Sequence, residues 1–256
     1  MKTVRKAVIP AAGLGTRVLP ASKAMPKEML PIVDKPAIQF IVEEAVRAGI
    51  TDILIITNRG KSIMEDHFDR APELEERLLA SGKKEVYDEV VNLAHLANIT
   101  YIRQKETRGL GHAISCAKAF VGDEPFAVLY GDDVILGEDP ACGQLIRAYN
   151  ETGKGVVGVK EVSEEAIQRY SSLKVEPLHD NWFTCTDMIE KPSKDKIMSL
   201  YSILGRCVLP PQIFDILAHT APGAGGEIQL TDALKELMQT EDMYALDFKG
   251  KRYDIG

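Results

Sequence analysis

Two glycines follow the first apolar segment of the chain, and basic side chains come soon after them. Gly13 and Gly15 lie in the loop after residues 5–10, where the absence of a Cβ lets backbone N–H groups approach an anion closely. Arg17 and Lys27 follow on a segment stiffened by prolines, and such fixed cations suit transfer at phosphorus. The segment therefore predicts a polyphosphate site, and a structural turn with ordinary surface cations is the alternative.

The loop matches neither of two well-known glycine-rich phosphate motifs. Val18 occupies the third glycine position of the dinucleotide fingerprint GxGxxG, and the loop does not have the P-loop pattern GxxxxGK[ST]. The tripeptide at 60–62 (GKS) resembles the end of a P-loop, but Ile55 stands where the first glycine of that motif should be. We therefore interpret the tripeptide as a chance match.

A carboxylate follows a predicted buried strand near the middle of the chain. Asp132 comes directly after the apolar residues 126–130, and doubly wound sheets bind ligands at the carboxyl ends of their strands. Mg²⁺ takes few protein oxygens and completes its shell with water and phosphate oxygens. Asp132 is therefore a candidate Mg²⁺ ligand, with a turn or helix-capping role as the alternative.

Charge is distributed unevenly along the chain. The formal net charge is −7, yet the first 35 residues hold seven basic and two acidic residues, so they carry +5 and the remainder carries −12. A basic segment in an acidic protein suggests a small polyanionic ligand, and the negative total argues against a nucleic-acid partner. No apolar run is long enough for a membrane span or a signal peptide, so we expect no membrane partner and a cytoplasmic location.

The cysteines and histidines indicate no further chemistry. Neither the four cysteines nor the five histidines have the spacing of a zinc site or suggest a catalytic triad. We expect the cysteines to be reduced thiols in the core, because free cysteine is usually buried.

Alternating strand and helix patterns predict the scaffold that positions these residues. Through about residue 150 the alternation is typical of a parallel, doubly wound sheet, and after residue 160 an antiparallel hairpin is predicted. The clearest helix spans 37–48, with Pro36 in its first turn and Gly49 as its stop. The predicted strands are 5–10, 52–57, 100–103, 126–130, 155–162, 172–177, 182–190, 201–209 and 243–248, and the other predicted helices are 73–89, 211–218 and 230–238.

The segment from Pro10 to Ala45 (PAAGLGTRVLPASKAMPKEMLPIVDKPAIQFIVEEA) resembles the signature of the sugar-phosphate nucleotidylyltransferases. Further blocks match the family in order along nearly the whole chain: 108–113 (RGLGHA), 131–133 (GDD), 190–192 (EKP), 204–206 (LGR), 222–233 (PGAGGEIQLTDA) and 253–256 (YDIG). Within the family the similarity favours enzymes that use UTP and glucose 1-phosphate. Enzymes that use dTTP or another hexose 1-phosphate, and a catalytically silent sugar-nucleotide sensor, are the alternatives.

The resemblance implies roles for the nucleotide side of the site. Ala11, Ala12 and Gly13 would contact the nucleoside through backbone groups, and Arg17 and Lys27 would hold the triphosphate that leaves as pyrophosphate. Gln104 and Gly109 would meet the uracil edge. Asp132 and Asp254 would share one Mg²⁺. His112 and Asp133 are expected to support the site rather than to take part in catalysis.

The resemblance also implies roles for the sugar side. Glu190 would accept hydrogen bonds from sugar hydroxyls, Lys191 would act catalytically by contacting the sugar phosphate, and Gly205 and Glu227 would belong to the same pocket. An oxygen of glucose 1-phosphate would attack the α-phosphorus of UTP in line, without a covalent enzyme intermediate.

The predicted fold is therefore an α/β fold with a doubly wound, mostly parallel, Rossmann-like sheet and an added antiparallel β-hairpin. We expect one nucleotidyltransferase domain over 1–256, with a nucleotide-binding part at 1–160 and a mostly sugar-binding part at 161–256. Two small domains are the alternative for a chain of this length. A homo-oligomer, a dimer or a tetramer, is expected.

Two positions depart from the usual family pattern. Ser171 follows Tyr170 where glycine is common, and the tripeptide Leu-Tyr-Ser that begins at Leu200 stands where Asn-Leu-Ala is common. UTP is therefore indicated more firmly than glucose. Family members also usually continue through further helices after the block at 253–256, and we expect part of the subunit interface to lie in such a segment.

Overall fold

A nine-stranded sheet forms the centre of the molecule in the computed structural model, which describes residues 2–256. The strands are β1 (Lys6–Pro10), β2 (Pro31–Ile32), β3 (Lys35–Pro36), β4 (Asp52–Thr57), β5 (Asn98–Arg103), β6 (Phe126–Leu129), β7 (Asp133–Leu136), β8 (Gly155–Glu161), β9 (Ser171–His179), β10 (Trp182–Glu190), β11 (Tyr201–Leu209), β12 (Met243–Asp247) and β13 (Lys251–Asp254). The helices are α1 (Ala37–Arg47), α2 (Ile63–Phe68), α3 (Pro72–Ala80), α4 (Lys84–Leu93), α5 (Leu110–Ser115), α6 (Lys118–Val121), α7 (Ala141–Thr152), α8 (Glu164–Ile167), α9 (Ile213–Leu217) and α10 (Leu230–Leu237).

The strand order is β5-β4-β1-β6-β11-β8-β12-β10-β9, and seven of these nine strands point in the same direction. Only β10 and β11 run the opposite way. The predicted doubly wound, mostly parallel sheet with an added antiparallel hairpin is therefore confirmed. β12 is late in the sequence, yet it lies between β8 and β10 and pairs with both.

Both faces of the sheet are covered, which explains why the inner strands have apolar residues on both faces. Along β1, Ala7 and Ile9 pack into one core with α1 and α7, whereas Val8 packs into a second core with α5, α9 and α10. Successive side chains of a strand point to opposite faces, so a parallel strand enclosed by helices needs apolar residues throughout. This arrangement leaves the loops at the carboxyl ends of the strands free to form a site.

A buried ion pair joins α1 to β11 beneath that end of the sheet. Arg206 Nη2 lies 2.6 Å from Glu44 Oε2, and both side chains are almost completely enclosed. The same guanidinium donates to the carbonyl oxygens of Asp133 and Gly205. Because every donor of this kind needs a partner in the interior, the Arg206 side chain fixes the backbone at the start of β7.

Several predicted elements differ from the observed ones. The prediction of a single helix at 73–89 was wrong. The segment forms two helices, α3 and α4, which are separated by residues 81–83. Gly82 has φ +74°, a left-handed conformation that ends the first helix. The predicted helix at 211–218 is shorter and spans only α9. β7 and β13, which pair as a small antiparallel sheet, were not predicted.

No helix within residues 2–256 combines the length and the apolar character that crossing a membrane requires.

Candidate active site

A cavity of about 270 Å³ opens at the carboxyl ends of β1, β5 and β6. Its walls come from the glycine loop after β1, the turn that carries Lys27, the segment after β5, the segment after β6, and Glu227. The lining residues are Pro10, Ala12, Gly13, Lys27, Glu28, Gln104, Thr107, Gly109, Leu110, Ala113, Tyr130, Asp132 and Glu227. The topology therefore brings together six residues that the sequence singled out: Ala12, Gly13, Lys27, Gln104, Gly109 and Asp132, with Glu227 as a seventh.

The glycine loop is held from behind by its carbonyl groups. Asn58 Nδ2 donates to the carbonyl oxygen of Ala12 at 2.5 Å, and Lys61 Nζ donates to that of Ala11 at 2.5 Å. Within residues 2–256, the N–H groups of Ala12 and Gly13 have no hydrogen-bond acceptor. Free backbone donors beside a cavity are suited to an oxygen-rich ligand.

Lys61 forms a buried ion pair behind this loop. Its Nζ lies 2.8 Å from Glu28 Oε2 and 3.0 Å from Oε1, and both side chains are almost fully buried. Burial lowers the pKa of Lys61 and raises that of Glu28. Since Glu28 belongs to the short turn Lys27–Met29, the pair ties the glycine loop to the turn that carries Lys27. The tripeptide at 60–62 is thus part of the site's framework, although it is no P-loop.

Removal of one member of this pair is expected to destabilise the protein. Lys61→Met leaves the Glu28 carboxylate buried without a cation, and such a change lowers the free energy of unfolding by about 3–5 kcal/mol. The double variant Lys61→Met/Glu28→Gln has no unpaired charge and should lose only on the order of 1 kcal/mol. Urea unfolding measures both values. Lys84→Met, which removes an exposed ion pair with Asp88, is the matched control. Equal unfolding midpoints for Lys61→Met and wild type would contradict the prediction.

Lys27 and Asp132 contact each other at the mouth of the cavity. Lys27 Nζ lies 2.5 Å from Asp132 Oδ2, with side-chain exposures of 9% and 25%. Gly256 packs against both side chains so closely that a Cβ at that position would collide with Asp132 Oδ2 and Lys27 Nζ. The site therefore places Lys27, the cation predicted to hold phosphate, directly beside Asp132, the predicted metal ligand.

Asp254 lies on the strand that returns beside Asp132. In the β7–β13 pair, Asp254 is opposite Asp133, and the next residue, Ile255, donates its N–H to the carbonyl oxygen of Asp132 at 3.0 Å. The Asp254 carboxylate accepts hydrogen bonds from Tyr170 Oη at 2.7 Å and from the Gly256 N–H at 3.0 Å. Burial raises the pKa of Asp254, but these hydrogen bonds and the positive charges of Arg252 and Arg17 together outweigh it and hold the pKa below its usual value.

The two carboxylates fit the ligand preference of Mg²⁺. No group of three or more His, Cys, Asp or Glu side chains in the described part of the chain is arranged to hold a metal ion. Mg²⁺ needs no such cluster, because one or two carboxylates suffice when water and phosphate oxygens supply the other ligands. Asp132 and Asp254, on hydrogen-bonded neighbouring segments, are such a pair.

Asp133 supports this region from behind the cavity. Arg252 Nε donates to Asp133 Oδ1 at 2.7 Å, and burial raises the pKa of Asp133 to about 6. Gly205 makes room for this carboxylate: its φ is +80°, and a Cβ there would lie 2.7 Å from that of Asp133. Gly205 itself does not line the cavity. Sequence reasoning missed Arg252, since a single arginine in the short strand β13 carries no local signal.

The opposite wall contains the residues assigned to the base. Gln104 is 4% exposed and its Nε2 donates to the carbonyl oxygen of Gly109 at 3.1 Å. Gly109 has φ +102°, and a Cβ there would lie 2.7 Å from that of Glu227. Only glycine therefore allows the segment after β5 to pack against Glu227.

The residues assigned to the sugar lie at the edge of this arrangement. Glu190 Oε2 accepts a hydrogen bond from Thr231 Oγ1 at 2.7 Å, and burial raises the pKa of Glu190. Lys191 is exposed, with φ +46° and its N–H donating to the carbonyl oxygen of Tyr170. Arg17 is also exposed, in the short turn Thr16–Val18. Arg17, Glu190 and Lys191 do not line the cavity.

Two serines that depart from the family pattern, Ser171 and Ser202, form a hydrogen bond with each other. Ser171, which stands where glycine is common, has its Oγ 3.2 Å from Ser202 Oγ, and Ser202 stands where alanine is common. The Ser171 N–H also donates to Ser202 Oγ at 3.2 Å. Both side chains are buried, and one hydroxyl donates to the other, while Ser171 Oγ also accepts from the Ile203 N–H at 3.2 Å. The pair therefore faces the interior between β9 and β11 and not the cavity.

Comparison with known proteins gives a consistent result. Residues 6–256 match the family model described as nucleotidyl transferase. The chain is 54% identical over 256 residues to UTP–glucose-1-phosphate uridylyltransferase 2 of Staphylococcus saprophyticus, covering 100% of this chain and 89% of that protein. It is 54% identical to UTP–glucose-1-phosphate uridylyltransferase of Bacillus subtilis, covering 100% of this chain and 88% of that protein.

Solved structures agree with these relatives. A UDP-glucose pyrophosphorylase complexed with UDP-glucose superposes with a TM-score of 0.91 at 39% identity, covering 99% of this chain and 94% of the other. The UTP-bound UGPase from Acinetobacter baumannii superposes with a TM-score of 0.91 at 36% identity, covering 99% and 89%.

Proposed function

Because this chain belongs to the nucleotidyl transferase family, we propose that it transfers a uridylyl group from UTP to glucose 1-phosphate and releases pyrophosphate. The observation that carries the proposal is the convergence of free backbone N–H groups, Lys27 and Asp132 on one cavity at the carboxyl ends of the strands. These are the groups that a nucleoside triphosphate requires. The full-length similarity to uridylyltransferases supports UTP as that triphosphate.

The reaction is a direct displacement at phosphorus. A phosphate oxygen of glucose 1-phosphate, already ionised at neutral pH, attacks the α-phosphorus of UTP, and the bond to the pyrophosphate oxygen breaks. Lys27 and Arg17 stabilise the negative charge on the departing pyrophosphate. Lys191 offsets the repulsion between the two anionic substrates, and Glu190 accepts hydrogen bonds from sugar hydroxyls.

Asp132 and Asp254 are the residues that would hold Mg²⁺. When bound, the ion supplies positive charge to the phosphate oxygens. Lys27, which contacts Asp132, also lines the cavity, where its ammonium group would meet the phosphates. The homo-oligomeric state and the cytoplasmic location remain predictions.

The proposal is tested by measuring pyrophosphate release from UTP with and without glucose 1-phosphate and Mg²⁺. Release is expected only when all three are present. Competition among UTP, dTTP, CTP and ATP, and among hexose 1-phosphates, separates this activity from its closest alternatives. A protein that binds UDP-glucose but releases no pyrophosphate under any of these conditions is a sensor, and the proposal is then wrong.

Gln104→Ala is expected to narrow the preference for UTP over CTP by about tenfold. The wild-type amide contributes a hydrogen bond that only the correct base edge satisfies, and its loss removes a penalty on the wrong base. The measurement is the ratio of kcat/KM for the two nucleotides at saturating glucose 1-phosphate. An unchanged ratio would remove Gln104 from base recognition.

A further inference from the structure

The side chain of His112 contacts the amide that faces the base, and it has no role in the mechanism above. Gln104 Nε2 lies 2.9 Å from His112 Nδ1 and 3.1 Å from the carbonyl oxygen of Gly109. His112 is on α5, one turn after Gly109, so the three groups belong to one short segment. The contacts of this amide decide what it can offer to a ligand.

The Gly109 contact fixes the orientation of the Gln104 amide. A carbonyl oxygen can only accept, so the amide atom beside it must be the NH₂ group. The Gly109 carbonyl is itself fixed, because it also accepts from the Ala113 N–H and the neighbouring Arg108 carbonyl accepts from the Ile228 N–H at 2.8 Å. A rotation of the amide by half a turn would place its oxygen against the Gly109 carbonyl.

The same orientation fixes the tautomer of His112. Since the NH₂ group of Gln104 donates one hydrogen to Gly109, its second hydrogen points to His112 Nδ1, which must accept it. A ring whose Nδ1 accepts is neutral, and burial favours that form by lowering the pKa of His112, an effect to which the positive charge of Arg108 adds and which Glu106 opposes. The ring proton therefore resides on Nε2.

With both amide hydrogens engaged, Gln104 can only accept through Oε1. Among residues 2–256, this oxygen has no hydrogen-bond partner, and it is not one of the fully enclosed unpaired atoms, which are Thr57 Oγ1 and Tyr101 Oη. Oε1 is therefore open to the cavity that Gln104 lines. A base that presents an N–H there gains a hydrogen bond, whereas a base that presents a lone pair meets an acceptor.

We propose that His112 is a positioning residue for base specificity: it accepts from Gln104 Nε2 and so holds Oε1 as a fixed acceptor for a pyrimidine with a protonated N3. Uracil has this N–H, and cytosine has a lone pair at the same position. The inference rests on the proposed function, since it assumes that the cavity binds the base of UTP. It assigns the choice between uracil and cytosine to two residues, of which only Gln104 contacts the base.

Two variants of His112 separate the acceptor from the bulk of the ring. His112→Leu removes the acceptor, so the amide can turn its NH₂ group toward cytosine at the loss of one hydrogen bond and not two. The ratio of UTP to CTP affinity should fall by roughly tenfold. His112→Asn keeps an acceptor oxygen near the position of Nδ1 and should stay within about threefold of the wild-type ratio. His219→Leu, an exposed histidine paired with Glu236, is the matched control.

The affinities are measured by isothermal titration calorimetry with UTP and CTP in the absence of sugar, after thermal melting has shown that each variant folds. A wild-type protein that binds neither nucleotide overturns the proposed function. A wild type that prefers UTP, together with an unchanged ratio in His112→Leu, overturns only the inference. If His112→Leu does not fold, the inference is overturned by a UTP-to-CTP affinity ratio in His112→Asn that is more than tenfold below the wild-type ratio.

The tautomer gives a readout that a purely structural role would not require. Two-bond ¹⁵N–¹H correlation spectra of histidine-labelled protein distinguish a ring protonated on Nε2 from one protonated on Nδ1. We expect the Nε2–H form for His112 in the free protein and in the UTP complex. An Nδ1–H or doubly protonated ring at neutral pH overturns the inference.

Discussion

Turnover of the Lys27→Ala variant is expected to fall by about a hundredfold, and Arg17→Ala should show a loss of the same order. One charge contact made mainly in the transition state contributes roughly 3 kcal/mol, which corresponds to about two decades in rate. The KM for glucose 1-phosphate should change much less, because we propose that both cations act on the departing pyrophosphate. Steady-state kinetics with each substrate varied in turn provide the measurement.

Lys84→Ala is the control for the loss of a lysine, since Lys84 is exposed and its ion pair is with Asp88, outside the cavity lining. Near-normal turnover in both site variants would show that the triphosphate is held elsewhere. The structure makes Lys27 the more informative of the two, because it lines the cavity and contacts Asp132, whereas Arg17 lies on an exposed turn. A loss in Lys27→Ala alone would place the leaving group against Lys27 and away from Arg17.

Asp132→Asn and Asp254→Asn are expected to lower activity by a hundredfold or more and to raise the Mg²⁺ concentration required, since several kcal/mol of charge stabilisation depend on the ion. Asparagine keeps the size of the side chain but removes an anionic oxygen. The losses should not multiply in the double variant. Once one ligand is absent the ion is already poorly held, and residues that act as one unit give strongly non-additive effects.

The measurement is turnover against Mg²⁺ concentration for both single variants and the double variant, with Mg²⁺ affinity from calorimetry as an independent readout. Asp139→Asn, which alters an exposed carboxylate paired with Arg147, is the control. Wild-type metal dependence in Asp254→Asn, or rate losses that multiply cleanly, would mean that the two carboxylates do not share an ion.

Local patterns predicted the larger elements of the fold well. β11 was predicted within its observed bounds, and α1 within one residue, because apolar periodicity and a glycine stop act over a few residues. β7 and β13 were missed, since each has only four residues and is defined by its partner more than 100 positions away. The break between α3 and α4 was missed because the charged periodicity continues across Gly82.

The residues of the site also differ in how well the sequence predicts them. The glycine loop, Lys27 and Asp132 carry local signals, namely glycines, prolines and a carboxylate that follows an apolar strand. Lys61 and Arg252 do not, because each acts through contacts with residues distant in sequence, Glu28 and Asp133. Asp254 was identified only through the resemblance to a family. Residue type thus indicates chemistry at the cavity wall, whereas the residues behind that wall depend on long-range pairing.

The position of β12 has a consequence for the growing chain on the ribosome. β9 pairs only with β10, and the other strand that pairs with β10 is β12, so the backbone of the hairpin cannot pair with the rest of the sheet until residues 243–247 have been synthesised. β13 follows still later and brings Asp254 beside Asp132. The glycine loop therefore leaves the exit tunnel long before Asp254, the carboxylate proposed as the second Mg²⁺ ligand. A nascent chain of this protein passes most of its synthesis with the glycine loop but without one of the two proposed metal ligands.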